Sequence, residues 1–113
     1  EKNKFYISEK GKLINYIELD NYKNLPTLFG EKKGFSNFFE DLKKINFPIE
    51  KIQSFHYFKI GRWDIILEKQ IVLKLPKINY SDSLENFLSI NEKTIFEKYK
   101  IFDYRIKDQL ILN

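Results

Sequence analysis

Residues 55–76, FHYFKIGRWDIILEKQIVLKLP, alternate apolar and polar side chains and constrain the fold more than any other stretch. Trp63 (the single tryptophan), Ile65 and Leu67 alternate with Arg62, Asp64, Ile66 and Glu68, as a half-buried strand requires. Ile71, Leu73 and Leu75 alternate with Val72 and Lys74 in the same way. A three-residue loop at Glu68-Lys69-Gln70 sets Leu67 opposite Ile71, Ile65 opposite Leu73 and Trp63 opposite Leu75, so one face is apolar throughout. A two-residue loop at Lys69-Gln70 pairs Leu67 with Val72 and turns the Leu73 set to the wrong side. The stretch therefore predicts a β-meander with one apolar face. Such a sheet suits a binding module better than a catalytic one.

The remaining pattern supplies partners for that sheet. Phe5-Tyr6-Ile7 and Leu13 to Ile17 flank a turn-rich segment containing Gly11, which predicts a short hairpin. Leu25-Pro26-Thr27-Leu28-Phe29-Gly30 is apolar, but its proline lacks a ladder donor, so it reads as an edge piece or connector. Phe35, Phe38, Phe39, Leu42 and Ile45 recur at helical spacing, with Ser36 as a candidate cap and Asn46-Phe47-Pro48 as the stop. Ile49 to Lys59 returns to strand character, and Pro76 ends the third strand of the meander.

Asp82, with Glu85 three residues on, forms a candidate capping box. The helix it opens carries Leu84, Phe87, Leu88 and Asn91 on one stripe, continued by Ile95 and Phe96 after a break near Asn91–Thr94. Lys100–Lys107 and Gln109–Asn113 are the last two strands, joined by a tight turn at Lys107-Asp108. With no repeats or low-complexity linker, residues 1–113 read as a single α+β domain: a mostly antiparallel β-sheet with two helices packed on one face.

Chain length and 42% hydrophobic content suffice for a core without covalent staples. Cysteine is absent, which removes disulfide and thiol chemistry and leaves the redox compartment open. Methionine and alanine are also absent, while Lys, Asn, Ile, Phe and Tyr crowd the chain, the footprint of an AT-rich genome. The missing initiator methionine leads to the expectation that the chain starts inside a longer protein. A net charge of +4 invites a nucleic-acid reading, yet the lysines are interspersed with acids and only Arg62 and Arg105 are arginines. A small basic nucleic-acid-binding domain is accordingly the alternative, not the leading reading. No apolar run approaches the roughly 20 residues that span a bilayer, and no signal-peptide pattern opens the chain.

Catalytic signals are weak. His56 is the lone histidine, so no histidine pair is available for zinc or a proton relay, and no G-x-S-x-G elbow accompanies it. Gly30 to Gly34 lacks the spacing and the Lys-Ser/Thr of a phosphate loop. Asn79-Tyr80-Ser81 fits a glycosylation sequon by chance, and most carboxylates neighbour a lysine as surface pairs do. No catalytic residue, metal ligand or cofactor is assigned; an enzyme with an unrecognised site is the remaining competitor. The polar constellation that stands out is Arg62, Asp64, Asp103 and Arg105. With Phe102, Tyr104 and Ile106 pointing inward, Arg62 would reach Asp103 and Asp64 would reach Arg105. A cross-strand ladder that fixes the register is preferred to a ligand site.

At these residues the chain resembles a known family. Leu25-Pro26-Thr27-Leu28-Phe29-Gly30, Arg62-Trp63-Asp64-Ile65, Ile71-Val72-Leu73-Lys74-Leu75-Pro76 and Phe102-Asp103-Tyr104-Arg105 resemble, in order, landmarks of the bacterial cell-division FtsQ family. Its α-proteobacterial branch, with LPxLxG, RRWDL, V-x-L-P and VDLR-x-P-D-R, is the most similar. Phe5 to Ile14 is similar to the segment preceding them. Gly61, Tyr104 and Lys107-Asp108-Gln109 depart from the pattern.

The resemblance implies the periplasmic β domain of a single-pass inner-membrane protein enriched at the septum, with a POTRA domain and the anchor upstream, the membrane being met only through that anchor. It implies a non-enzymatic divisome scaffold that binds FtsB and FtsL and other divisome proteins, with FtsB adding a strand at the last edge. Tyr99, Ile101, Asp103, Arg105, Gln109, Leu110, Ile111 and Leu112 are the corresponding partner-binding candidates. The residues support an edge on their own terms, because Gln109–Asn113 is the final strand and contains no proline.

Overall fold

The computed structural model describes residues 4–15 and 24–113. Tyr16 and Ile17, expected in the first hairpin, lie outside them, as does the side chain of Ile95. The described strands are β1 (Lys4–Ile7), β2 (Leu13–Asn15), β3 (Thr27–Phe29), β4 (Ile52–Phe58), β5 (Arg62–Leu67), β6 (Ile71–Lys74), β7 (Ile101–Asp103) and β8 (Ile111–Leu112). Helix α1 (Phe35–Lys44) connects β3 to β4, and α2 (Tyr80–Ile90) connects β6 to β7. The strands form one sheet in the order β2-β1-β3-β4-β5-β6-β7-β8, antiparallel except at β3–β4 and β6–β7. Each parallel pair encloses one helix, the connection that parallel strands need. The fold is α+β, as its sequence pattern predicts.

The meander register is the expected one. Leu67 opposes Ile71, Ile65 opposes Leu73, and the Leu75 N–H donates to the Trp63 carbonyl at 3.1 Å. Lys69 and Gln70 turn the chain at positive φ in a three-residue 3-10 turn. One core row crosses the sheet from Phe5 through Leu28, Phe55, Ile65, Leu73 and Phe102 to Leu112. Both helices cover this face: Phe38 of α1 stacks on Trp63 at 4.6 Å, and Phe87 of α2 meets Phe102 edge-on at 5.0 Å. A register shift between Ile52 and Ser54 re-phases β4, so that Ile52 and Phe55 both reach the core.

Several local expectations are corrected. The Leu25–Gly30 segment is no edge: β3 lies between β1 and β4. Pro26 precedes the strand, so no ladder donor is lost, and its carbonyl accepts from the Ile7 N–H. Ser36 does not cap α1, whose cap is Gly34 at φ 82° without a side-chain bond. The helix stops as expected, by a Schellman motif with Asn46 at φ 60°: Phe47 N–H bonds the Leu42 carbonyl and Asn46 N–H that of Lys43. Ile49–Lys51 forms a 3-10 turn ahead of β4. Asp82 does not cap α2 either. The helix begins at Tyr80 after Asn79 at φ 64°, so Asp82 sits inside the first turn, where a negative charge suits the macrodipole. Asn91 follows the helix and is exposed, while Leu84 and Phe87 are buried.

Candidate functional site

The face of the sheet opposite the helices carries a second continuous row. Lys4, Phe29, His56, Asp64, Lys74, Asp103 and Ile111 lie in register from β1 to β8. Strand alternation builds it, because each residue immediately precedes or follows a member of the core row. Lys4 lies 5.1 Å from the Phe29 ring, and Phe29 stacks on His56 at 4.8 Å. Toward the other end the row becomes charged: Asp64 and Asp103 are buried, with Lys74 in register between them.

The four-residue constellation forms, but not with the expected partners. Arg62 Nη1 donates to Asp64 Oδ1 at 2.6 Å and to the Leu75 carbonyl at 3.3 Å, and its guanidinium covers the Phe58 ring. Arg105 is bidentate to Asp103, Nε to Oδ1 at 2.9 Å and Nη2 to Oδ2 at 2.7 Å. Each arginine therefore pairs along its own chain segment. The cross-strand pairing fails because β6 separates β5 from β7, placing them two strand spacings, about 9.6 Å, apart. Lys74 occupies the gap. The bond from Arg105 holds the Asp103 carboxyl below its usual range, against the effect of burial and with help from Lys74.

Phe102 and Tyr104 point inward as expected, but Ile106 does not: it is 51% exposed. The chain leaves β7 after Asp103 and turns, Gln109 N–H bonding the Ile106 carbonyl with Asp108 at φ 61°, so alternation no longer governs Ile106. The last strands are also shorter than their sequence suggests. Among the remaining partner-binding candidates, Tyr99, Leu110 and Leu112 pack against the core, whereas Ile111 and Arg105 are exposed. Gln109 is exposed in the turn and Ile101 is half-buried. Lys4, Phe29 and Lys74 are the members of the open row that the sequence reading does not single out; alternation with Phe5, Leu28 and Leu73 is the signal that places them there.

A double-mutant cycle distinguishes the two pairings. Arg62→Ala with Asp64→Ala should show a coupling of about 1–2 kcal/mol in denaturant stability, while Arg62→Ala with Asp103→Ala should be additive within about 0.5 kcal/mol. The opposite order would restore the cross-strand ladder.

His56 supplies a second test. Its ring accepts or donates one bond to Ser54 Oγ at 2.9 Å, and burial lowers its pKa, opposed by Asp64. A lowered imidazole pKa disfavours the charged form in the folded chain. Stability is then full above the unfolded value near 6.5 and falls as pH drops through that value toward the folded one. As His56 is the one histidine, His56→Gln should flatten the thermal midpoint between about pH 7.5 and 5.5, the window where histidine titrates. An equal slope in the variant would show that His56 is not the group responsible.

At its other limit the sheet ends on β8. Asn113 N–H donates to the Ile101 carbonyl at 3.1 Å, and the Asn113 carbonyl accepts from Ile101 and Lys100. Ile101 and Asn113 are thus a hydrogen-bonded pair, and antiparallel alternation turns the N–H and C=O of Leu112 away from β7. This arrangement offers a strand edge beside a cation, Arg105. Among the described residues no His, Cys, Asp or Glu cluster forms a metal set, and no helix is long and apolar enough to cross a membrane.

A search of curated protein sequences returned no match. The family model for the cell division protein FtsQ/DivIB, C-terminal, matches residues 1–105, from the segment before β1 through β7 to Arg105. A match over that share of the chain establishes descent: this chain belongs to the FtsQ/DivIB family of cell-division proteins, as its C-terminal domain.

Proposed function

We propose that this chain is a periplasmic, non-enzymatic scaffold domain of the divisome that binds FtsB and FtsL by accepting a partner strand along β8. In this reading it belongs to a single-pass inner-membrane protein enriched at the septum, with a POTRA domain and the anchor upstream, and it couples its partners to septal peptidoglycan synthesis. The observation that carries the reading is the outward-facing N–H and C=O of Leu112 at the end of the sheet order. An added strand satisfies those groups at little side-chain specificity, and the neighbouring residues supply the rest. Ile111 and Ile101 offer apolar contact on the open face, and Leu110 and Leu112 hold the edge against the core. Tyr99 and Gln109 flank the strand, and Asp103 orients exposed Arg105 toward a partner carboxylate.

The test is calorimetric titration of this chain with a periplasmic FtsB peptide, followed by amide hydrogen exchange on the complex. Saturable binding with new protection at the Leu112 amide is expected. Binding that leaves this amide unprotected would exclude the edge as the docking place, and absence of binding would exclude the partner.

A further inference from the structure

The large hydrophobic residues left exposed among the described residues are Phe58, Ile60, Ile78, Ile106 and Ile111, and they are not scattered. All lie toward the end of the sheet where β4, β6 and β7 finish and β5 and β8 begin. Ile60, at 66% exposure, sits in the β4–β5 turn, closed by the Gly61 N–H on the Phe58 carbonyl at 2.8 Å. Ile78, at 72%, sits in the loop between β6 and α2. The two loops touch: a Cβ added to Gly61 would stand 3.1 Å from Lys77 Cε. Tyr104 N–H donates to the Lys74 carbonyl at 2.8 Å, so β7 leaves the sheet beside β6 and delivers Ile106 to the same end. With strands about 4.8 Å apart, the strands β4 to β7 that carry the three tips span roughly 15 Å across the sheet.

Each tip isoleucine has a basic neighbour in sequence: Lys59 before Ile60, Lys77 before Ile78, Arg105 and Lys107 around Ile106. Lys59, Lys77 and Lys107 are exposed and enter none of the described ion pairs. The acids here do not cancel them. Asp64 and Asp103 are buried against arginines, which leaves Glu31 and Asp108 in the adjoining turns and Asp82 in the first turn of α2 as exposed acids, while Lys32 and Lys33 beside Glu31 add two more exposed cations.

We propose that these three loop tips dock on an anionic lipid bilayer surface, the isoleucines entering the headgroup boundary and the lysines meeting lipid phosphates. Charge complementarity selects this occupant, together with the form of the surface. A protein partner favours a continuous apolar centre depleted of charge, whereas here apolar points alternate with cations. Shallow insertion of separate apolar residues, with basic residues beside them, is the arrangement that interfacial binding uses. The tips lie beyond the strand ends and leave the outer side of β8 uncovered, so this contact and strand addition are compatible.

Flotation of this chain with phosphatidylcholine vesicles, with and without phosphatidylglycerol, tests the proposal. Binding is expected with phosphatidylglycerol only, weakening as salt rises. The combined variant Ile60→Ser, Ile78→Ser and Ile106→Ser should bind at least about tenfold less at unchanged thermal midpoint, because each side chain is exposed. Lys59→Gln, Lys77→Gln and Lys107→Gln together should also abolish the preference for the anionic lipid. Failure of the wild-type chain to bind phosphatidylglycerol vesicles would overturn the proposal. Undiminished binding of the isoleucine variant would overturn it as well, and so would equal salt-sensitive binding of both chains to a DNA duplex, which marks general polyanion adhesion.

Discussion

Trp63→Ala should destabilise the domain by about 3–5 kcal/mol, the range for a large aromatic removed from a core. That is a large share of the roughly 5–15 kcal/mol that holds a small domain folded, so part of the population should unfold at physiological temperature. The indole is 5% exposed and is gripped from several directions. Phe38 stacks on it at 4.6 Å, Tyr57 lies 4.8 Å away on the neighbouring strand, and Phe35 reaches it at 6.1 Å. Alanine leaves a cavity bounded by aromatic rings on α1 and β4, which cannot collapse without shifting the helix relative to the sheet. Denaturant unfolding followed by circular dichroism reads the effect, with Ile66→Ala on the open face as comparison. An unchanged midpoint for Trp63→Ala would refute the inward face of β5.

The apolar face was legible because period-two alternation and loop length act locally. Leu67, Ile65 and Trp63 could meet Ile71, Leu73 and Leu75 in only one way that kept both sets on one side. The aromatic spacing of α1 and the helix stop at Asn46-Phe47 were legible for the same reason. Strand order was not. Nothing near Arg62 or Asp103 states that β6 lies between their strands; that follows from the α2 crossover, which returns the chain parallel to β6 and on its far side. The pairing of the arginines was misjudged as a consequence. Pro26 misled differently, since the rule against proline concerns a single N–H, and a proline one residue before β3 leaves the strand free to be central. Asp82 and Ser36 have good capping chemistry but stand inside the helices, because Asn79 and Gly34 already turn the backbone at positive φ. Ile106 looked like core for want of contrast: in a chain so rich in isoleucine, apolar character alone does not separate a buried residue from a loop tip.

The β8 edge gives the sharper functional expectation, because its two residues face opposite ways. Leu112→Pro deletes an N–H that points away from β7, and Ile111→Pro deletes one that alternation turns back toward Asp103. Leu112→Pro should therefore keep the native circular dichroism spectrum while weakening FtsB-peptide binding about tenfold or more, the loss of one backbone bond plus the bulk of the ring at the pairing edge. Ile111→Pro should instead loosen β8 from β7 and lower the thermal midpoint before any partner is added. Leu112→Ala should weaken binding only moderately, since backbone pairing is largely indifferent to the side chain, although some packing on the core is lost with it. Removing residues 109–113 should abolish binding by deleting the edge itself, and it uncovers β7 as a new one. Calorimetry of the peptide against these chains separates the mechanisms. Undiminished binding to a folded chain lacking 109–113, or to Leu112→Pro, would sink strand addition at β8 and direct attention to the exposed Arg105 and the open row it borders.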